Sequence, residues 1–338
     1  MAIRDDVAAA LPYECRPNAA RTLEALLTDR MAMSPTPERH RTAERRRAGL
    51  AMVALVLGAL SMGVSPVFVR LADVGPYASA FWRVLLALPF LAVWMLMETR
   101  GKPIPWRSLD RSVWLSGLLF AGDLFFWHLA ILSTTIANAT FLATTAPIWV
   151  ALGAWLVLRE KIGAPVIVGV ALCLVGGFAL LGESYGFAPQ RLLGDIFGVV
   201  TAIFFGSYVL AIRKARGQLG PGTLAFVSTA ITAVCLFVIA IALEPTLWPG
   251  SWGGAASLLA LAIVSQVLGQ GLLAVALGTL PATFSSLVIF LEAVQAAALG
   301  WIIFSERLGV IQLLGGVLIL VGIWIGRPRP ARADGVGL

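Results

Sequence analysis

Charged residues are scarce in this chain, and long stretches lack them altogether. Asp, Glu, Lys and Arg make up 13% of the 338 residues, against roughly 25% in an ordinary soluble domain. No charged residue occurs in 162–182, 217–243, 245–291 or 308–326. A helix needs about 20 apolar residues to cross a bilayer. These runs therefore predict an all-α integral membrane protein and exclude an ordinary soluble fold.

Residues suited to metal binding or covalent chemistry are equally sparse. Cys15, Cys173 and Cys235 lie far apart and form no CxxC pair, so they indicate neither a disulfide framework nor a zinc site. The sequence has no HExxH motif and no phosphate-binding P-loop, and His128 is the one histidine within the predicted membrane region. We therefore expect no metal, no cofactor and no direct use of ATP. A membrane-embedded enzyme is disfavoured because no catalytic constellation is present.

Turn-forming and charged residues divide the apolar sequence into ten predicted transmembrane helices. The predicted spans are 50–69, 77–97, 112–132, 137–158, 163–181, 193–213, 222–243, 254–277, 282–304 and 308–326. Residues 1–47 are polar and Arg-rich and have no apolar signal-peptide core. We predict a disordered cytoplasmic tail there, with a short interfacial helix around Leu23 to Met31 as the alternative. Residues 328–338 form a second predicted cytoplasmic tail.

Lys and Arg are distributed asymmetrically between the predicted loops. With a cytoplasmic N-terminus, 17 of those from Arg39 onward fall on the cytoplasmic side and three, Arg70, Arg191 and Arg307, on the other. Cytoplasmic loops of membrane proteins carry such an excess. The pattern predicts a multi-pass protein of the bacterial inner membrane with both termini in the cytoplasm. It also explains the net charge of +7 by membrane orientation, so we expect no nucleic-acid partner.

Two segments of the chain repeat each other at an offset of 146 residues. Glu160 superposes on Glu306 and Lys161 on Arg307, and three glycines of 163–176 fall on three glycines of 309–322. The repeat divides the chain into two five-helix halves, 48–182 and 193–327. Because five is odd, the second half enters the membrane from the opposite side. Such inverted repeats are typical of transporters, with the substrate site at the repeat interface.

These features resemble a known group of transporters. The five-helix halves, the segment from Pro147 to Glu160 before a Gly-rich helix, the FWRVLLA stretch at 81–87 and the second copy at Glu306 are similar to the drug/metabolite transporter superfamily, EamA type, and in layout to YddG-like amino-acid exporters. The resemblance implies a central cavity surrounded by spans 1, 3, 4, 6, 8 and 9, with spans 5 and 10 as bracing. Ala293 replaces the counterpart of Pro147, so a shared helix kink is not predicted.

Small residues recur on the fifth and tenth spans. Gly169, Cys173 and Gly177 repeat at i+4, as do Gly322 and Gly326, and such faces allow two helices to approach closely. We predict that the two spans pack together. The charged residues from 159 to 161 and at 306 and 307 sit at helix ends, where capping or inter-helix contacts are expected rather than substrate binding.

Ionisable side chains within spans are costly and are therefore candidate site residues. Arg83, Asp123, His128 and Glu292 are of this kind, and the two acids lie near mid-depth. We hypothesise that Asp123 or Glu292 meets a substrate ammonium group or exchanges a proton. The alternative is a structural ion pair such as Asp123 with Arg83. His128 does not share a helix face with Asp123, and a packing role for it is the alternative.

Aromatic and amide side chains complete the candidate substrate-binding set. Trp127 lies at i+4 from Asp123 and shares its face. The other candidates are Phe204, Tyr208, Gln266, Gln270 and Gln295, which lie at i+3 or i+4 from one another or from Glu292. Such a lining suits an amphipathic solute, although packing of each aromatic ring against lipid is the alternative.

The sequence as a whole predicts a secondary transporter that exports small metabolites by alternating access. Amino acids, aromatic or otherwise neutral, and related amphipathic compounds are the expected substrates. A proton-coupled multidrug efflux carrier is the alternative within the same class. The expected partners are a small-molecule substrate, the lipid bilayer and, as a candidate, protons, and the chain is compatible with a monomer.

Overall fold

The computed structural model describes residues 37–104, 106–134, 136–181, 189–304 and 309–328. Within these ranges the chain is helical with no β-strand, which confirms the predicted all-α class. Most of the predicted N-terminal tail, and the C-terminal residues after 328, lie outside the described residues. The chain divides at Gly49 into two units, and the site belongs wholly to the second, Leu50–Leu338. In the first unit, residues 37–49 are helical, so helix begins ahead of the predicted tail boundary.

Fourteen α-helices occur in the described part of the chain, together with one π-helical segment. They are α1 (Pro37–Gly63), α2 (Ser65–Leu71), α3 (Pro76–Thr99), α4 (Arg111–Ser133), α5 (Ile136–Ala143), α6 (Ala146–Leu156), α7 (Ala164–Leu181), α8 (Leu192–Ala215), α9 (Pro221–Leu243), α10 (Trp252–Ala260), the π-helical segment (Leu261–Gln270), α11 (Gly271–Leu277), α12 (Ala282–Ile289), α13 (Leu291–Phe304) and α14 (Val310–Gly326).

Seven helical stretches of the described chain are long and apolar enough to cross a membrane. They are Thr42–Val69, Pro76–Thr99, Arg111–Ala130, Leu192–Ala215, Pro221–Leu243, Trp252–Leu277 and Ala282–Leu299. Three shorter apolar helices, Phe141–Leu156, Ala164–Leu180 and Val310–Gly326, coincide with the other three predicted spans. A 17-residue helix rises about 25 Å, slightly less than the ~30 Å hydrocarbon core. The fold is therefore a multi-helix membrane protein, and ten crossings stay a prediction.

Two of the helix breaks are related by the repeat. Between α5 and α6 the Thr145 amide donates to the Leu142 carbonyl at 3.1 Å, and between α12 and α13 the Phe290 amide donates to Leu287 at 3.1 Å. Both are tight i to i−3 turns, which interrupt the α-helical ladder. The second break forms without a proline, contrary to the doubt raised by Ala293. Pro89, in contrast, lies inside an unbroken α3.

α7 and α14 pack against each other through glycines, as predicted. A Cβ added at Gly169 would lie 2.7 Å from the Gly322 carbonyl oxygen, and one at Gly176 would lie 2.5 Å from that of Gly315. Because the contact partner moves backwards as the residue number rises, the two helices are antiparallel. This is the direction that an inverted repeat requires. The contact uses Gly176 rather than the predicted Gly177, which faces Phe290 instead.

Cys173 lies at the centre of this helix pair. Its thiol is 3.5 Å from the carbonyl oxygen of Ile319, and both residues are fully buried. The two positions differ by 146 residues, so each residue meets its own repeat counterpart. That contact places Cys173 and Ile319 next to the pseudo-two-fold axis.

A second antiparallel pair, α3 and α9, is joined by glutamates that cap each other's helices. Glu98, near the end of α3, accepts hydrogen bonds from the Gly222 and Thr223 amides of α9 at 3.1 and 2.8 Å. Glu244, just after α9, accepts one from the Tyr77 amide of α3 at 2.8 Å. A carboxylate at a helix N-terminus satisfies free amides and complements the helix dipole. The two caps therefore stabilise opposite ends of the same helix pair.

Candidate functional site

A cavity of about 180 Å³ lies inside the second unit, where the interrupted helices meet. Three helix breaks contribute to its lining. Gly63 and Ser65 come from the break between α1 and α2, Thr144 from the break between α5 and α6, and Phe290 from the break between α12 and α13. The expected spans 1, 3, 4, 6, 8 and 9 all contribute lining residues, and span 2 adds one that was not expected to do so. α7 and α14 contribute none, which agrees with their expected bracing role.

Three ionisable side chains from three different helices line this cavity. They are Arg83 of α3, Asp123 of α4 and Glu292 of α13. Arg83 and Asp123 are each 8% exposed, so water solvates them poorly and the attraction between opposite charges is strong. Arg83 interacts electrostatically with both acids. The cavity therefore presents a positive pole and two acidic groups to whatever enters it.

No direct ion pair joins Arg83 to either acid. The ion pairs within 4.0 Å in the described part of the chain are Arg213 with Glu160 and Lys214 with Asp110. The structure therefore does not contain the structural ion pair between Arg83 and Asp123 that the sequence left open as an alternative. The opposite charges line the same cavity without forming a direct ion pair, which leaves them able to meet a solute.

Hydrogen bonds to neutral side chains hold the Arg83 guanidinium in place. Its Nε donates to Oε1 of Gln266 at 3.2 Å, and its Nη1 is 3.4 Å from the Ser65 hydroxyl. Gln266 in turn donates from Nε2 to the Thr229 hydroxyl at 3.1 Å. Nη2 of Arg83 donates no hydrogen bond to any described residue. Nε and Nη1 thus orient the guanidinium, while the N–H groups of Nη2 remain available to another acceptor.

The π-helical segment positions two of the three candidate glutamines, Gln266 and Gln270. A π-helix widens the helical turn and occurs often at functional sites. From this segment Gln266 reaches Arg83, and Gln270 lines the cavity. The Tyr208 hydroxyl donates to Oε1 of Gln270 at 3.1 Å, and the Tyr208 ring stacks on Phe120 with centroids 4.8 Å apart. Tyr208 and Gln266 thus support the lining from behind.

Five of the ten predicted site residues line the cavity itself. They are Arg83, Asp123, Trp127, Gln270 and Glu292. Asp123 and Trp127 both face it, as their i, i+4 spacing predicted. The structure therefore brings the three candidate charges, one aromatic residue and one amide residue to a single cavity.

Three of the predicted residues lie elsewhere. His128 is about 140° around α4 from Asp123, and its Nδ1 is hydrogen-bonded to the Leu124 carbonyl while its ring contacts Tyr77 and Trp127. Phe204 stacks on Phe126 with centroids 5.4 Å apart and packs over Gly122. Gln295 lies beside Gly63, and its Oε1 is buried with no hydrogen-bond partner in the described chain. For His128 and Phe204 the packing alternative describes the placement.

Several lining residues were missed by sequence reasoning. The cavity is also lined by the hydroxyl residues Ser65, Thr144, Thr201 and Ser286 and by the aromatic residues Phe120, Phe205 and Phe290. Phe120 could have been found, because it lies at i−3 from Asp123 on the same helix face. Single hydroxyl residues are common in membrane helices, and nothing in their sequence spacing singles these out.

The sequence of the chain matches one protein family twice. The sequence model of the EamA-like transporter family matches residues 49–182 and, a second time, residues 192–326. The chain belongs to the EamA-like transporter family. It is therefore a transporter and not an enzyme, and the expected resemblance is confirmed. The two matches also fit the internal repeat.

Several individual transporters are similar to this chain at 26–27% identity. An uncharacterized transporter of Archaeoglobus fulgidus is 27% identical, over 80% of this chain and 95% of its own length. The pseudopaline exporter CntI of Pseudomonas aeruginosa is 26% identical, over 70% of this chain and 81% of its own. The threonine/homoserine exporter RhtA of Escherichia coli is 26% identical, over 68% and 73%. One crystal structure matches with a TM-score of 0.71 at 18% identity, covering 81% of this chain and 95% of that one, which supports the fold.

Proposed function

We propose that this EamA-like transporter exports small neutral amino acids and related amphipathic metabolites, and that the central cavity is its substrate site. The observation that carries the proposal is that Arg83, Asp123 and Glu292 line one cavity. An amino acid carries a carboxylate and an ammonium group a few ångströms apart. The guanidinium of Arg83 suits the first group, since it binds carboxylates well, and an acid suits the second.

The volume of the cavity supports a compact substrate. The cavity measures about 180 Å³. Pockets for drug-sized ligands measure about 300–1,000 Å³. Small amino acids are therefore better candidates than aromatic ones, and a multidrug carrier is less well supported. The names of two relatives, exporters of threonine/homoserine and of pseudopaline, point to export of small metabolites.

The arrangement of helices supports transport by alternating access. Inverted repeats with discontinuous helices place a site near the midplane, and one half can rock against the other around it. Here the cavity lies at the three helix breaks. Two acids beside one arginine also leave one acid in excess, which suits either an ammonium group or an exchanged proton.

Uptake of a labelled amino-acid panel into proteoliposomes, with and without a pH gradient, tests this function. We expect threonine and homoserine to be transported faster than tryptophan. Stimulation by the gradient would identify proton exchange, and indifference would identify facilitated diffusion. If no amino acid is transported under either condition, the proposed substrate class is wrong.

Neutral variants of the two acids test the site. Loss of one charge-assisted hydrogen bond of about 1.5–3 kcal/mol would slow transport roughly 10- to 100-fold, so we expect Asp123→Asn and Glu292→Gln to lose most activity. Asp195→Asn is the matched control, because Asp195 is a membrane-region acid outside the cavity that is bonded to Thr134 at 2.7 Å. Undiminished and pH-independent transport by both cavity variants would remove the acids from the mechanism.

A further inference from the structure

A second hollow lies at the end of α6, away from the central cavity. It measures about 540 Å³ and is lined by Trp155, Arg159, Glu160, Lys161 and Ile162. Trp155 is exposed, as are Leu156 and Val157 beside it. Tryptophan is enriched where a helix leaves the hydrocarbon for the headgroups. The hollow therefore combines an apolar wall from the helix end with a rim of charged loop residues.

The rim carries cations that no described protein group neutralises. Arg159 and Lys161 are exposed, and neither forms an ion pair or a side-chain hydrogen bond in the described part of the chain. Glu160 is also on the rim, but its Oε1 lies 3.6 Å from Nε of Arg213. The acid is thus compensated from another helix, and the net charge around the hollow is positive.

The backbone holds Arg159 in an unusual conformation. Its φ is +53°, in the left-handed region that residues with a Cβ rarely adopt. Gly or Asn would adopt it with less strain. A strained residue of this kind is a pointer to function when other observations agree. Here the strained position carries one of the two free cations on the rim.

Comparison of the two repeats shows which lining residue of this hollow occurs only in the first half. At the offset of 146 residues, Trp155 corresponds to Trp301 and Lys161 to Arg307, whereas Arg159 corresponds to Ser305. The second cation is therefore present only in the first copy. The distribution of Lys and Arg assigns this copy to the cytoplasmic face, where anionic lipids are concentrated.

We propose that this hollow binds the headgroup of an anionic phospholipid of the cytoplasmic leaflet. Arg159 and Lys161 contact the phosphate, since arginine offers paired donors to phosphate oxygens. Trp155 packs along the start of an acyl chain. The site is separate from the transport cavity, and its occupant is a lipid rather than a free phosphate because the hollow has an apolar wall on its membrane side.

Native mass spectrometry of the purified full chain can measure this binding. Phosphatidylglycerol, phosphatidylcholine and glycerol phosphate are added separately, and the bound fraction is compared between the wild type and Arg159→Ser/Lys161→Ser. Each charge-assisted contact to the phosphate contributes roughly tenfold in affinity, so we expect the double variant to lose roughly 100-fold of its affinity for phosphatidylglycerol. Arg159→Lys keeps the charge and should keep most of the binding.

A matched control removes two cations that lie on the same predicted face outside the hollow. Lys102→Ser/Arg107→Ser should bind phosphatidylglycerol like the wild type. Equal loss in this control would reduce the effect to general surface charge and overturn the proposal. Equal binding of phosphatidylcholine would mean unspecific lipid contact, and equal binding of glycerol phosphate would mean a soluble-anion site. A double variant that elutes as a monodisperse protein and still binds phosphatidylglycerol fully would also overturn it.

Discussion

Removing the glutamate caps of the α3–α9 pair should destabilise the protein unequally. Glu98 accepts from three donors, the Gly222 amide, the Thr223 amide and, at 2.6 Å, the Thr223 hydroxyl. Glu244 accepts from one backbone amide, that of Tyr77. Each partly buried donor left without an acceptor costs about 1 kcal/mol. We therefore expect Glu98→Ala to lower the free energy of unfolding by about 3 kcal/mol and Glu244→Ala by about 1 kcal/mol.

Unfolding in mixed micelles, followed by circular dichroism, measures this difference. Thr223→Val is the matched control, because it removes only the hydroxyl donor and should cost about 1 kcal/mol. We expect Glu98→Ala to lower the free energy of unfolding more than either Glu244→Ala or Thr223→Val. The reasoning would be refuted if Glu98→Ala were no more destabilising than Glu244→Ala, since water would then replace the carboxylate at no cost.

Two further predictions concern helix packing and a helix cap. Gly176→Ala should cost about 1–3 kcal/mol through overpacking, because its Cβ would lie 2.5 Å from the Gly315 carbonyl oxygen, whereas Gly177→Ala, with its nearest contact at 3.4 Å, should be nearly neutral in the same unfolding assay. Asp110 accepts from the Ser112 amide at 2.8 Å, and this bond holds the pKa of the Asp110 carboxyl below its usual range. The stability that Asp110→Ala removes should thus be fully present above pH ~3.9. It should disappear as the pH falls through the lowered pKa of Asp110. The melting temperatures of the wild type and the variant should therefore differ at neutral pH and converge in acid.

Much of the fold could be predicted because membrane helices leave strong local signals. Charge-free runs mark the spans, and the small-residue positions around Gly169 and Gly322 predict close helix contact. The choice between Gly176 and Gly177 could not be made in this way. Neighbouring residues on a helix differ by about 100°, so the contact face depends on how the partner helix is rotated.

The second helix break shows a different limit. Pro147 is a visible cause of a break, since it removes a hydrogen bond from the helix. Phe290 has no such signal. The repeat did not predict this break either, because Ala293 replaces the counterpart of Pro147.

Part of the candidate site could be predicted from the sequence. Arg83, Asp123 and Glu292 stood out because charge is expensive inside a membrane. Gln295 was chosen on spacing from Glu292, but it packs beside Gly63 and is not among the residues that line the cavity. Glu98 and Glu244 are 146 residues apart and hold equivalent positions of the repeat, but the sequence analysis did not single out these caps. Their meaning required the antiparallel pairing of α3 and α9, which sequence spacing does not contain.

The central claim is that substrate occupies the cavity lined by Arg83, Asp123 and Glu292. Protection of a cavity thiol from alkylation tests it directly, using Thr144→Cys in a background without the native cysteines. Thr144 lines the cavity, so threonine should slow its alkylation, while an exposed loop thiol at Thr246→Cys should react at the same rate with and without threonine. Equal alkylation of Thr144→Cys in the presence and absence of every transported amino acid would contradict the account.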